Sequence, residues 1–243
     1  MSCHIHSVFI TGTDTDVGKT VLTSALLAAA CARGLSAVPM KPIQTGAFKY
    51  NGRWRSPDAD FCIRMAGLQL DAETYRDVAP CCYESACSPH LAARIARRRI
   101  SIEALQSSFH RLEESYASVF IEGAGGVLSP INESQRMLDL IVAFKRPVIV
   151  AARPGLGTLN HTLLTLSALR TFGLCVTGVV LVETASVIWG ELEHDNRQSI
   201  ESMGQIPVLG VIPYLDNLDT APEAPEAFVD AGAAILDQLL NLT

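Results

Sequence analysis

Short, continuously apolar runs alternate along the chain with longer runs whose apolar residues recur every three or four positions. Val8 to Thr11 is the first short run. The stretch Val21 to Arg33 that follows puts Leu22, Leu26, Ala29 and Ala30 on one helical face, and Gly34 ends it. Ser36 to Met40 reads as a second strand that delivers Lys41 at its C-terminal end, and Pro42 to Ser56 reads as a polar, glycine-containing loop. A helix is expected over Asp58 to Met65. Ser88-Pro89 opens another, with serine as cap and proline at the first helical position. Ser101 begins a third, with Ile102, Leu105, Phe109, Leu112 and Tyr116 near helical spacing. Val119-Phe120-Ile121, Pro147 to Ala152, Val176 to Val182 and Val208 to Ile212 complete the strands. A helix starts at Thr158, and Glu223 to Leu240 closes the chain with Phe228, Ile235, Leu236 and Leu239 inward.

Continuous apolar strands separated by helices predict an α/β fold, a mostly parallel sheet with helices on both faces. With no internal repeat, low-complexity tract or linker, residues 1–243 read as a single domain. In such sheets ligands sit beyond the carboxyl ends of the strands. Gly12, Lys41, Glu122, Arg153, Glu183 and Pro213 each follow a predicted strand and are expected along one rim.

The strongest chemistry lies between the first strand and the first helix, in Gly12-Thr13-Asp14-Thr15-Asp16-Val17-Gly18-Lys19-Thr20. Strand, glycine-containing loop and helix N-terminus in that order cradle phosphates with backbone N–H groups. Gly18 allows close approach, Lys19 supplies a positive charge, and the Thr20 hydroxyl can ligate Mg²⁺. The first glycine stands one residue earlier than usual, with Thr13 in its place. Glu122, at the end of an apolar strand and followed by Gly123-Ala124-Gly125-Gly126, is the natural carboxylate partner of Thr20 around that metal. Lys41, held by Pro42, is placed to neutralise a developing anion. Asp58, after Ser56-Pro57, reads equally as a helix cap.

Composition narrows the partners. The chain has 243 residues, 49% hydrophobic and 18% charged, as a globular protein with a covered sheet would. A net charge of −6 and a pI near 5.5 argue against a nucleic-acid or anionic-membrane surface. The apolar run Gly173 to Val182 is too short to span a bilayer, and Met1 to Ser7 lacks the basic start and apolar core of a signal peptide, so a cytoplasmic location is expected. The seven cysteines, at 3, 31, 62, 81, 82, 87 and 175, form no C-x-x-C pair and are expected to be reduced. Cys81, Cys82, Cys87 and His90 match no zinc spacing. Arg97-Arg98-Arg99 reads as a solvated helix end, and His161, His194, Trp54 and Trp189 have no assignable role.

The phosphate loop, Lys41-Pro42, Pro57-Asp58-Ala59, Ser88-Pro89-His90, Glu122-Gly-Ala-Gly-Gly126 and Leu159-Asn160-His161 occur in an order that resembles the dethiobiotin synthetase family, across most of the chain. The resemblance implies a P-loop NTPase fold and an ATP- and Mg²⁺-dependent reaction. CO₂ and 7,8-diaminononanoate (diaminopelargonate) would be joined into the cyclic urea of dethiobiotin, through a carbamate and a carbamic-phosphoric anhydride, in biotin biosynthesis. It implies Thr15, Lys19 and Lys41 around the carbamate and γ-phosphate, and Asp16, Val17, Gly18, Lys19, Thr20 and Val21 along the nucleotide, with Asp58, Glu122, Gly123, Ala124 and Gly125. Thr20, Asp58 and Glu122 would hold Mg²⁺. Thr45, where the family carries serine, and Gly123 to Gly125 would line the diamine site. Asn160 would hold the substrate carboxylate across the interface of a homodimer. Where the family often has Asn-Asp for the nucleotide base, this chain has Val182-Glu183, which leaves base recognition to Glu183 or to Pro213, Tyr214 and Leu215. Two rivals share the fold. Partition-type regulatory ATPases carry a signature lysine where this chain has Asp14. Glutamine-dependent synthetases require a glutaminase, for which the sequence after the last strand leaves no room, so that a separate chain would have to supply the ammonia.

Overall fold

The computed structural model describes residues 7–241, so Cys3 and the segment Met1 to His6 lie outside the described residues. The elements run β1 (Val8–Gly12), α1 (Lys19–Ala32), β2 (Ala37–Met40), β3 (Ile43–Thr45), β4 (Phe48–Tyr50), β5 (Arg53–Arg55), α2 (Pro57–Met65), α3 (Ala72–Val78), β6 (Cys81–Tyr83) and α4 (Pro89–Ile95). They continue with α5 (Ile102–Ser115), β7 (Ser118–Gly126), α6 (Met137–Phe144), β8 (Val148–Ala152), α7 (Thr158–Thr171), β9 (Val176–Val182), α8 (Glu191–Gly204), β10 (Val208–Ile212) and α9 (Glu226–Asn241). Six strands form a parallel sheet in the order β10-β9-β8-β1-β7-β2. The expected mostly parallel sheet, covered on both faces, is the observed one.

The period-2 geometry of the strands splits their side chains between two cores. Ile10, Phe120, Ile149 and Val180 pack with Leu22 and Leu26 of α1 and with Phe228 and Leu236 of α9. Phe9, Ile121, Val150 and Leu181 face the other way, onto Leu105 and Phe109 of α5, Phe144 of α6 and Leu166 of α7. Helix α9 seats on α1 at Gly232, where a Cβ would fall 2.1 Å from the Ala25 carbonyl oxygen. Among the described residues no helix is long and apolar enough to cross a membrane.

Several expectations need correction. Pro42 to Ser56 is not a plain loop. β3 pairs in parallel with β6, and β4 and β5 form an antiparallel hairpin around Asn51 and Gly52, both at positive φ. Asn-Gly is a strong signal for such a turn, but strands of three residues are too short to show a period. Helix α4 begins at Pro89 as expected, yet the Ser88 side chain makes no capping bond. Arg98 is not simply solvated, since it donates to the Cys82 carbonyl at 3.1 Å and lies over the Tyr83 ring. Helices α3, α6 and α8 had no counterpart in the sequence reading.

Candidate functional site

β1 is the pivot of the site. It lies between β7 and β8, and its parallel register with β7 sets Ile10 beside Glu122, so the phosphate loop leaves the sheet next to the Glu122 carboxylate. The loop is shaped by contacts that leave no room for side chains. Gly18 adopts φ +87°, and a Cβ there would lie 2.3 Å from Val182 Cγ1. A Cβ on Gly12 would lie 2.6 Å from Val17 Cγ2, which explains why the glycine is needed at position 12. Val17 itself is fully buried and packs beneath the loop.

Lys41, at the end of β2, is 5% exposed and Glu122 is 2% exposed. The Lys41 Nζ lies 2.6 Å from Glu122 Oε1 and 2.6 Å from Asp58 Oδ2, and donates to the Gly123 carbonyl at 3.3 Å. Thr20 Oγ1 donates to the same Glu122 oxygen at 2.8 Å. Lys19 Nζ turns back onto its own loop and donates to the Asp14 carbonyl at 2.6 Å. Burial, and after it the positive charge of Lys41, lowers the Lys19 ammonium to about 8. Burial acts in the same direction on Lys41, but Glu122 and Asp58 outweigh it and hold its ammonium above the ordinary lysine range. Burial pushes Glu122 above the usual carboxylate range, with Lys41 and Thr20 holding it back.

Asp58 is not the cap of α2. Ser56 Oγ, not Asp58, accepts the capping bond, from Ala59 N at 3.1 Å, which frees the Asp58 carboxylate to face Lys41. Ser56 also donates to Gln44 Oε1, and Gln44 Nε2 donates to the Thr45 carbonyl, so a buried polar chain fixes the position of Thr45. Neither Ser56 nor Gln44 was singled out from the sequence.

A cavity of about 740 Å³ joins these groups. Its walls include Thr15, Asp16, Gly18, Lys19, Thr20 and Val21 of the loop, then Lys41, Thr45, Asp58, Glu122, Ala124 and Gly125, and at its far end Glu183, Pro213, Tyr214 and Leu215. Among the expected site residues, Val17 and Gly123 lie behind that wall, and Asn160 sits on the exposed first turn of α7, away from it. Arg153 follows β8 on the rim but points to solvent and does not line the cavity. A larger cleft of about 1320 Å³, between the β4–β5 hairpin, α3 and α5, contains none of these residues and holds the Arg111–Asp77 ion pair.

At the far end the Glu183 carboxylate is fixed on both oxygens. The Trp189 indole N–H donates to Oε1, and the Tyr214 backbone N–H donates to Oε2 at 3.1 Å. His194 stacks edge-on against Trp189. Trp189 thus holds a cavity-lining carboxylate from behind, a role that its sequence context did not disclose.

A parallel sheet, a glycine-bearing phosphate loop opening a helix and a buried carboxylate on the adjacent strand define a P-loop nucleotide-binding protein. Comparison with known proteins agrees. The family model described as "AAA domain" matches residues 6–222. The ATP-dependent dethiobiotin synthetase BioD of Anoxybacillus flavithermus is 36% identical over 210 residues, covering 86% of this chain and 92% of that protein. The synthetase of the same name from Anaeromyxobacter sp. is 43% identical over 177 residues, covering 73% and 76%. Among solved structures, the cell division ATPase MinD of Pyrococcus furiosus superposes with a TM-score of 0.63 at 14% identity, over 98% of this chain and all of that one, which is a likeness of fold alone. The chain belongs to the ATP-dependent dethiobiotin synthetase family. It is an ATP-dependent ligase of biotin biosynthesis, with ATP and Mg²⁺ as its cofactors.

Proposed function

We propose that the protein, acting as one unit over residues 1–243 in the cytoplasm, closes the ureido ring of dethiobiotin from diaminopelargonate, CO₂ and ATP. One amine of the diamine captures CO₂ as a carbamate. A carbamate oxygen attacks the γ-phosphorus and ADP departs. The second amine then attacks the carbonyl carbon of the mixed anhydride, phosphate leaves, and the ring closes. Charge accumulates on the carbamate and the transferring phosphoryl group, where preorganised cations stabilise most. Lys19, Lys41 and Thr15 are the groups assigned to that region. Thr45 and the Gly123–Gly125 backbone are assigned to the diamine, and Glu183, Pro213, Tyr214 and Leu215 to the nucleotide base.

The donor set suits Mg²⁺. Asp58 and Glu122 converge on one point, which the Lys41 ammonium takes at 2.6 Å from each, and Thr20 adds a hydroxyl. An all-oxygen set converging on a cation is what a hard divalent ion requires. When bound, it supplies neutralisation of the outer phosphates. Asn160 is assigned to the substrate carboxylate of a second copy in a homodimer. It lies one turn before Leu164 (62% exposed) on the same face of α7, and Leu156 (92% exposed) stands in the loop just before that helix; a partner would cover both apolar side chains.

The observation that carries this reading is the meeting of Lys41, Glu122 and Asp58 in one cavity with Lys19. With Mg²⁺ and ATP, the protein is expected to release phosphate only when bicarbonate and diaminopelargonate are both present. Equal release without the diamine overturns the proposal.

A further inference from the structure

The larger cleft, of about 1320 Å³, gathers positive charge in a chain whose net charge is −6. Arg53 and Arg55 of β5, Arg76 of α3, Arg98 after α4 and Arg111 of α5 all line it. Its acids are Asp71, Glu73 and Asp77, and two of these are engaged. Asp71 caps α3 by accepting from the Glu73 and Thr74 amides, and Asp77 is held by Arg111. Among the described residues Arg53, Arg76 and Arg98 form no ion pair. Arg55 and Arg111 are fixed in orientation. Arg55 Nε donates to Asp60 Oδ2 at 3.0 Å and Arg111 Nε to Asp77 Oδ2 at 2.9 Å, with Nη2 on the second oxygen of each carboxylate. Neither spends its Nη1 on these bonds. Guanidinium groups offer paired N–H donors that match the oxygens of a carboxylate or a phosphate.

We infer that this cleft is a second binding site, for a small polyvalent oxyanion, and that its occupant weakens nucleotide binding through helix α2. That helix separates the two cavities. Asp58, in its first turn, faces Lys41 in the nucleotide cavity, and Asp60, two residues on, faces Arg55 in the cleft. The Tyr75 hydroxyl ties the two sides together. It donates to Asp60 Oδ1 at 2.7 Å and accepts from the Ser56 amide at 2.9 Å, while Ser56 Oγ caps the same helix. An anion that draws on Arg55 competes with Asp60 for it and loosens the first turn that presents Asp58. Coupling of this kind is reciprocal, so the nucleotide weakens the anion by the same factor, which we set at about fivefold. The inference is independent of the ring-closing reading, because no readout below involves the diamine.

Trp54 lines the cleft, and Trp54 and Trp189 are the two tryptophans of the chain. In the Trp189→Phe protein, Trp54 emission therefore reports on the cleft. With the phosphate loop filled by Mg²⁺ and ADP, pyrophosphate and tricarballylate should each change that emission at a single site. The tighter of the two distinguishes a phosphorylated from a carboxylated occupant. Replacing Arg53 and Arg76 together by alanine should weaken this binding about tenfold or more, and leave the affinity for Mg²⁺ and ADP unchanged when no anion is present. Calorimetry at saturating tricarballylate and excess Mg²⁺ should show ADP bound about fivefold more weakly. In Tyr75→Phe, which keeps every arginine but cuts the link from Ser56 to Asp60, that factor should fall towards one. An emission that neither anion changes, or binding that survives the double arginine replacement, overturns the site. Anion binding that leaves ADP affinity untouched, or a coupling undiminished in Tyr75→Phe, overturns the route through α2.

Discussion

The two ends of the cavity are built on different principles. At the phosphate end, backbone and buried charge leave no slack. Gly18 is pressed against Val182, and Lys41, Asp58, Glu122 and Thr20 saturate one another at hydrogen-bond distance. At the base end, the segments that follow β9 and β10 come together over a single half-buried carboxylate held by two donors. Phosphate is common to every nucleotide and can be met by a rigid cradle. A base must be distinguished from others, and here that task falls on a few side chains added to the scaffold. The contrast predicts large, cooperative losses at one end and graded ones at the other.

The sharpest way to break the contrast is at Lys41. Lys41→Met should lower kcat by about 100- to 1000-fold in the diamine-dependent phosphate assay, the scale of losing a preorganised charge from a transition state. It should also destabilise by about 3 kcal/mol in urea denaturation, because Glu122 is left buried without its cation. Adding Glu122→Gln should restore much of that stability and none of the activity. A Lys41→Met protein with normal kcat would remove the chemical role assigned here.

The cradle itself is tested next. Gly18→Ala combines a strained φ with a contact into Val182 and should cost about 2 kcal/mol and most of the ATP affinity. Gly155→Ala, where a Cβ meets nothing within 4 Å, should change stability by less than about 0.5 kcal/mol. At the base end, Tyr214→Ala removes a ring that is 40% exposed along the cavity wall, and it should raise KM for ATP by about three- to tenfold. An equal loss from Tyr214→Ala and Gly18→Ala would erase the distinction between the two ends.

A pH scan isolates a single charged group of the cradle. Lys19 is lowered to about 8 in the fold by burial and by Lys41, against an ordinary value of 10.5. Between those limits the unfolded chain binds the proton that the folded chain has released, so this group makes stability rise with pH across that window. The gain is about 3 kcal/mol at most. Lys19→Met should flatten the rise in thermal denaturation curves, and an unchanged slope would remove Lys19 as its source.

The two ends also differ in how well the sequence discloses them. The phosphate loop, Lys41 and Glu122-Gly-Ala-Gly-Gly126 are legible because strand, glycine and charge are adjacent in the chain, and a parallel sheet aligns strand ends whatever lies between them. Trp189 is not legible. Its partner Glu183 is six residues away, and the bond depends on how an irregular connection folds. Helix α8 is hidden by its charged character, and α6 by an apolar run, Met137–Phe144, too uniform to show a period. The β4–β5 hairpin carried a readable sign in Asn51-Gly52 that strands of three residues could not reinforce. Ser56 is hard to recognise as the cap because Asp58, two residues on, is an equally good capping residue.

The contact of Gly232 with Ala25 has a bearing on the far side of the molecule. Among the described residues none beyond Asp219 lines the cavity, yet α9 is clamped onto the helix whose first turn carries Lys19 and Thr20. The terminal helix is thus a backrest for the nucleotide cradle. Anything that prises it away, whether a bulky graft at position 232 or trimming of the chain end, would be felt as a looser grip on triphosphate, at a distance from every atom that touches it.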